Sequence, residues 1–153
     1  MKNIKTFEQL GSIKQAYNEA QEKFSHRIYV CAGAGCVSSN CSVIRDTVTE
    51  EIAALGLSEE IPVYETGCMG TCAVGPVMLI LPERVFYTDL TEKKARRIIK
   101  AHITKGEVLE RYTFFDESLE KHIPIIDDIG FFKNQVKIAL RNCGTIEYAS
   151  IDA

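Results

Sequence analysis

The chain has 153 residues, with 18 Lys and Arg against 21 Asp and Glu, and six Cys. That length fits one domain with room for an appendage, and it buries a core without disulfide staples. A hydrophobic content of 46% and a charged content of 25% exclude a disordered or collagen-like chain, and a net charge of −3 lacks the basic excess of a nucleic-acid binder. The first residues are too polar for a signal-peptide core, and no window approaches the roughly 18 apolar residues of a membrane span. A cytoplasmic protein is expected. Thiols stay reduced there, so six cysteines point to metal binding or catalysis before disulfides.

Residues 1–26 read as a packing or linking helix, with Phe7, Leu10, Ile13, Tyr17 and Phe24 near helical spacing. Residues 27–31 (RIYVC) alternate as a strand and run into the glycine-rich turn AGAGC. Ser38 or Ser39 is placed to cap a helix whose apolar face is Ile44, Val48, Ile52 and Leu55, with Gly56 ending it. A second strand is expected over 61–66, followed by the loop GCMGTCAVGP. The unbroken run VMLIL at 77–81 fits a central strand buried on both faces. Pro82 and Glu83 turn the chain into a partner strand at 84–88. Thr91 or Asp89 then caps a last helix with Ala95, Ile98, Ile99, His102 and Ile103 on one face and Gly106 as its stop. The order β-α-β-β-β-α implies an α/β domain with one mixed sheet and helices packed on it. From about residue 113 the chain becomes acidic and irregular, and NQVKIALRNCG reads as a short helix ended by Gly144.

The chemistry lies in the cysteines. Cys31 and Cys36 form C-x4-C, and Cys68 and Cys72 form C-x3-C. Each pair follows a predicted strand in a glycine-containing loop. If those strands are neighbours, four sulfurs converge at one edge of the sheet. Four soft thiolates select zinc or an iron–sulfur cluster. Gly33, Gly35, Gly67, Gly70 and Gly75 allow backbone to approach such a centre. Neither pair has the C-x2-C spacing of a zinc knuckle or of a redox dithiol, so the spacing favours a [2Fe-2S] centre over zinc. A structural or regulatory zinc module with no redox role remains the alternative. Cys41, inside the first helix after the loop, reads as a core residue before a substitute ligand, and Cys143, in the tail, as a packing or interface residue. Met69 and Val74 flank the second ligand loop, as cover, as an apolar docking surface or as ordinary packing. His26, His102 and His122 are scattered, and His102 reads as a core or edge residue. No phosphate-binding glycine loop and no serine nucleophile motif are present.

The stretches VCAGAGCVSSN and ETGCMGTCAVGPVMLILPERVFY resemble a thioredoxin-like [2Fe-2S] ferredoxin domain. The likeness is to the version at the N-terminus of the NADH-oxidising flavoprotein subunit of NAD(P)-linked, electron-bifurcating iron hydrogenases, relatives of the complex I flavin subunit. The resemblance implies a thioredoxin-like mixed sheet with flanking helices, an N-terminal helical segment over 1–26, the ferredoxin domain over 27–112, and a C-terminal extension over 113–153. It carries the family's cluster ligands to Cys31, Cys36, Cys68 and Cys72. It implies one-electron transfer through a [2Fe-2S] cluster. The partners it implies are a flavin (FMN) and NAD-binding subunit or domain, other iron–sulfur subunits, and a hydrogenase or dehydrogenase catalytic subunit. The extension resembles the lead-in to a flavin- and NADH-binding domain. The family's flavin and nucleotide loop and its [4Fe-4S] cysteines are absent from this sequence, so NADH oxidation by this chain alone is not expected. Nucleic acid is not an expected partner, and homo-oligomerisation is left open.

Overall fold

The computed structural model describes residues 4–146. Residues 1–3 of the expected N-terminal helix and 147–153 of the expected extension lie outside the described residues. Helix α1 spans Phe7–Gln21 and is capped by Thr6, whose Oγ1 accepts a hydrogen bond from the Gln9 amide at 3.3 Å. Its expected apolar stripe is split: Phe7, 92% exposed, and Leu10 stay in solvent, while Ile13, Tyr17 and Phe24 are half-buried, and at the far end Gln21 donates to the Tyr64 hydroxyl at 3.3 Å.

Strand β1 (Arg27–Cys31) is followed by the short helix α2 (Ala34–Ser38) and by α3 (Cys41–Ala54). The glycine-rich turn is thus itself helical. The residue entering α3 is Asn40, in a left-handed conformation, not the expected Ser38 or Ser39. Strands β2 (Val63–Thr66), β3 (Met78–Leu81) and β4 (Val85–Tyr87) complete the sheet, and α4 (Glu92–Lys105) follows. Thr91 caps α4 through the Lys94 amide, and Gly106 ends it with a positive φ.

The sheet order is β2-β1-β3-β4, with β1 and β2 parallel and the other pairs antiparallel. This is the expected mixed α/β architecture. Because β1 and β2 are parallel, they need a crossover rather than a tight turn, and α3 supplies it.

The pairing register sorts the core into two faces. Ile28, Val30, Met78, Ile80, Val85 and Tyr87 alternate onto the face covered by α3 and α4. Tyr29, Tyr64, Leu79 and Phe86 sit opposite one another in a single row on the other face. Their cover comes largely from the C-terminal segment. Residues Phe114–Asp116 (β5) and Lys121–Ile123 (β6) form a hairpin, and α5 is the single turn Gly130–Lys133. Phe132 packs edge-on against Phe86, and Tyr29 donates its hydroxyl proton to the Thr145 carbonyl at 2.9 Å. Ile123, Ile126 and Ile129 are buried with the main core.

The short helix expected from NQVKIALRNCG does not form. That stretch is turns, with Val136 90% and Ile138 84% exposed. Its hydrogen bonds to the sheet hold the chain close across the row of aromatic residues and override local propensity. Among the described residues, no helix is long and apolar enough to cross a membrane.

Candidate metal centre

Parallel pairing places Cys31, the last residue of β1, opposite Thr66, the last residue of β2. Both strands therefore deliver their following loops to the same end of the sheet. The Ala32 amide donates to the Thr66 carbonyl at 2.8 Å, and the Cys31 amide donates to the Val77 carbonyl at 3.1 Å. These bonds fix where the two loops leave. Cys36 then lies on α2, and Cys72 opens a 3-10 turn, Cys72–Val74.

The two loops interlock at glycines. A Cβ on Gly33 would lie 2.8 Å from the Cys68 Cβ, one on Gly35 would lie 3.0 Å from the Cys72 Cβ, and one on Gly75 would lie 3.1 Å from the Cys36 Sγ. Three of the four thiols are thus packed against backbone that only glycine leaves open. Of the five glycines named from the sequence, only Gly70 needs a positive φ, 89°, while Gly33, Gly35 and Gly75 serve close approach. The Cys68 and Cys72 sulfurs are 3.9 Å apart. A disulfide needs about 2.05 Å, whereas thiolates about 2.3 Å from a shared tetrahedral metal are separated by about 3.8 Å. The Gly70 amide donates to the Cys68 sulfur at 3.3 Å, a contact of the kind that tunes a metal-bound thiolate.

Electrostatics agree with a metal-binding cluster of thiols. Burial, and then the adjacent Cys31 thiol, push Cys36 up to about 12. Cys72 is raised chiefly by its contact with Cys68. The pocket resists successive negative charges unless a cation compensates them, and coordination to a metal deprotonates a thiol outright. Cys31 and Cys36 are buried, Cys68 is half-buried and Cys72 is exposed. Cys41 is buried at the start of α3, its thiol raised by burial.

Sequence reading missed the tail at this edge. Gly144 donates its amide to Thr66 Oγ1 at 2.7 Å, Phe131 lies 3.6 Å from the position of a Cβ on Gly70, and the Cys143 sulfur lies 3.0 Å from that of a Cβ on Gly67. That contact places a fifth thiol beside the second cysteine loop, and its pKa is raised by burial and then by Cys68. Met69 is 2% exposed, and its sulfur and methyl face Gly144, so this residue is packed under the tail. One signal for this cover was present. A run buried on both faces needs two layers; in the structure α3 and α4 pack together on one of them, which leaves the other to be covered from outside residues 27–112.

Comparison with known proteins identifies the family. A sequence model of the thioredoxin-like [2Fe-2S] ferredoxin family matches residues 12–102. A 2Fe-2S ferredoxin of Clostridium pasteurianum is 36% identical over 94 residues, spanning 56% of this chain and 92% of the relative. A putative 2Fe-2S ferredoxin of Priestia megaterium is 28% identical over 91 residues, covering 60% of this chain and 71% of that protein. The crystal structure of the wild-type thioredoxin-like [2Fe-2S] ferredoxin from Aquifex aeolicus superposes with a TM-score of 0.54 at 24% identity, covering 59% of this chain and 95% of that one, and supports the fold. The chain belongs to the thioredoxin-like [2Fe-2S] ferredoxin family. Its cofactor is a [2Fe-2S] cluster, and its family role is electron transfer. The zinc alternative drawn from ligand chemistry alone gives way to that assignment.

Proposed function

We propose that Cys31, Cys36, Cys68 and Cys72 are the four ligands of the cluster, and that the chain passes single electrons within an NAD(P)H-linked hydrogenase or dehydrogenase complex. The ligand assignment rests chiefly on the interlocked loops. Two cysteine pairs from adjacent parallel strands meet, with glycines at three of the contacts. When bound, the cluster supplies a one-electron carrier and no bond chemistry. Cys31 and Cys36 hold it from the buried side. Cys68 and the exposed Cys72 form the side that a partner can approach. The Gly70 amide stabilises negative charge on Cys68.

The partners in this reading are a flavin (FMN) and NAD-binding subunit or domain, further iron–sulfur subunits and the catalytic subunit of the complex. Val37 is 58% exposed on α2, one residue from Cys36, and offers apolar surface beside the cluster. Residues 113–153 would lead toward the flavin- and NADH-binding unit. In support, the described part of that segment crosses the sheet and reaches Thr66 and Gly67 at the cysteine end.

Anaerobic EPR of the dithionite-reduced protein, with iron and sulfide analysis, tests the ligand assignment. The expected result is one [2Fe-2S] signal per chain that disappears in Cys36→Ala and in Cys72→Ala. A full signal in either variant overturns the assignment. The complex is tested by NADH reduction. NADH alone should leave the cluster oxidised, and NADH with an FMN-containing NADH dehydrogenase subunit should reduce it. No reduction in the presence of that subunit counts against the proposed context.

A further inference from the structure

At the opposite end of the sheet from the cysteines, three side chains distant in sequence converge. His26 immediately precedes β1, Glu83 sits in the β3–β4 turn, and His102 lies in the last turn of α4. One ring nitrogen from each histidine and one Glu83 oxygen all lie within 4.8 Å of one another. Glu83 bridges the two rings, with Oε1 3.3 Å from His26 Nε2 and Oε2 3.7 Å from His102 Nε2. Cys31 is five residues along the chain from His26, about 16 Å away at strand rise, so the group is separate from the cysteine centre. We propose that His26, Glu83 and His102 form a second metal site, for a borderline divalent transition-metal ion of the zinc type.

Three observations carry this. The first is spacing. Ligands about 2.0–2.1 Å from a tetrahedral ion are separated by about 3.4 Å. The His26–Glu83 separation fits that edge. The His102–Glu83 separation is too long for a good hydrogen bond and lies within a few tenths of an ångström of a ligand edge. Glu83 is 42% exposed on its side chain, so it can rotate to close the remaining gap.

The second is orientation. His102 is 3% exposed, and its Nδ1 lies 2.9 Å from the Tyr87 hydroxyl. A ligating histidine generally has its other ring nitrogen held by a hydrogen-bonding partner. With Nδ1–H donating to the Tyr87 oxygen, the Nε2 lone pair points to the cluster of ligands.

The third is an orphan. His26 Nδ1 is buried and has no hydrogen-bond partner among the described residues. No protein group at that nitrogen fixes the ring's tautomer, so Nε2, the nitrogen that faces Glu83, is left able to carry the lone pair an ion would take. A donor set of two imidazoles and one carboxylate suits zinc, and leaves a position for water or for a partner's side chain.

The test is zinc titration of the cluster-loaded protein after a chelator wash, against a chromophoric chelator. The cluster's absorbance and the iron count are followed to show that zinc has not displaced iron. The expected result is zinc bound by the wild-type protein with a site that Glu83→Gln and His26→Ala each weaken by at least about 10-fold. Tyr87→Phe, which leaves all three ligands in place, should weaken it by about 10-fold. Anomalous scattering at the zinc edge should place the ion between His26 and His102. Failure of the wild-type protein to compete for zinc, or equal affinity in both ligand variants, overturns the proposal. An anomalous peak at the cysteines alone does the same. Both ligand variants lie outside the buried core, and an intact cluster spectrum confirms that they have folded.

Discussion

The two cysteine pairs differ in how they are held. Cys31 and Cys36 are each 2% exposed, and they are fixed by the end of a paired strand and by a helix. Cys68 sits on irregular chain, and Cys72 opens a short 3-10 turn and is exposed. The buried pair belongs to the core, held by strand pairing and helix packing. The outer pair is positioned by glycine contacts, by the Gly70 amide and by the tail lying over its loop. The difference teaches that one half of the site is scaffold and the other half is an access face.

Removing a proposed ligand should have the largest effect. Cys36→Ala and Cys72→Ala should both lose the cluster, read as iron content and EPR amplitude. Only Cys36→Ala should also destabilise the cluster-free protein, by about 1 kcal/mol in denaturant melts, because only that side chain is in the core. Equal melts for the two variants would break the comparison.

Next in size is Gly33→Ala. The backbone there has φ −65°, so any cost is steric, from the Cβ driven into Cys68. A loss of about 1–3 kcal/mol and reduced iron loading are expected, both measurable on freshly reconstituted protein.

Thr66→Val should cost about 1–3 kcal/mol as well, toward the lower end, by leaving the buried Gly144 amide without its acceptor. Faster amide exchange in residues 131–146 would show that the tail had loosened while the sheet held.

Cys41→Ser and Cys143→Ser should keep the EPR amplitude. Loss of signal in Cys41→Ser with retention in Cys36→Ala would reassign the buried pair.

The smallest effect concerns acid stability. The Arg84 hydrogen bond holds the Asp127 carboxyl below its usual range. That contribution is therefore present above the ordinary carboxylate pKa of about 4 and is lost as pH falls through the lowered folded value. Both groups are well exposed, so Asp127→Asn should cost less than about 1 kcal/mol near neutral pH and nothing at strongly acidic pH.

Much of this was legible along the chain. VMLIL announced a strand buried on both faces, and all four residues of β3 are buried. The C-x4-C and C-x3-C loops each follow a strand, and the parallel pairing of β1 with β2 meets the condition for bringing them together. Gly106 and Thr91 marked the ends of α4 because capping is a local matter. The tail was not legible. NQVKIALRNCG has helical spacing, yet the Thr66 hydroxyl and the Tyr29 hydroxyl hold its end in turns. The histidines were not legible either. Position 26, position 83 and position 102 carry no common spacing, and only the strand ends and α4 bring them within reach.

By itself, the sequence determined the strands and main helices of residues 27–106, their order and the cysteine pairs that are candidate ligands, because periodicity, capping and ligand type act over a few neighbouring residues. Tertiary structure alone decided that the extension roofs the second face of the sheet, that Cys143 stands beside Cys68's loop, and that two histidines share a glutamate. Those outcomes depend on contacts between residues far apart in the chain, whose geometry is set only when the sheet has formed and its faces must be covered.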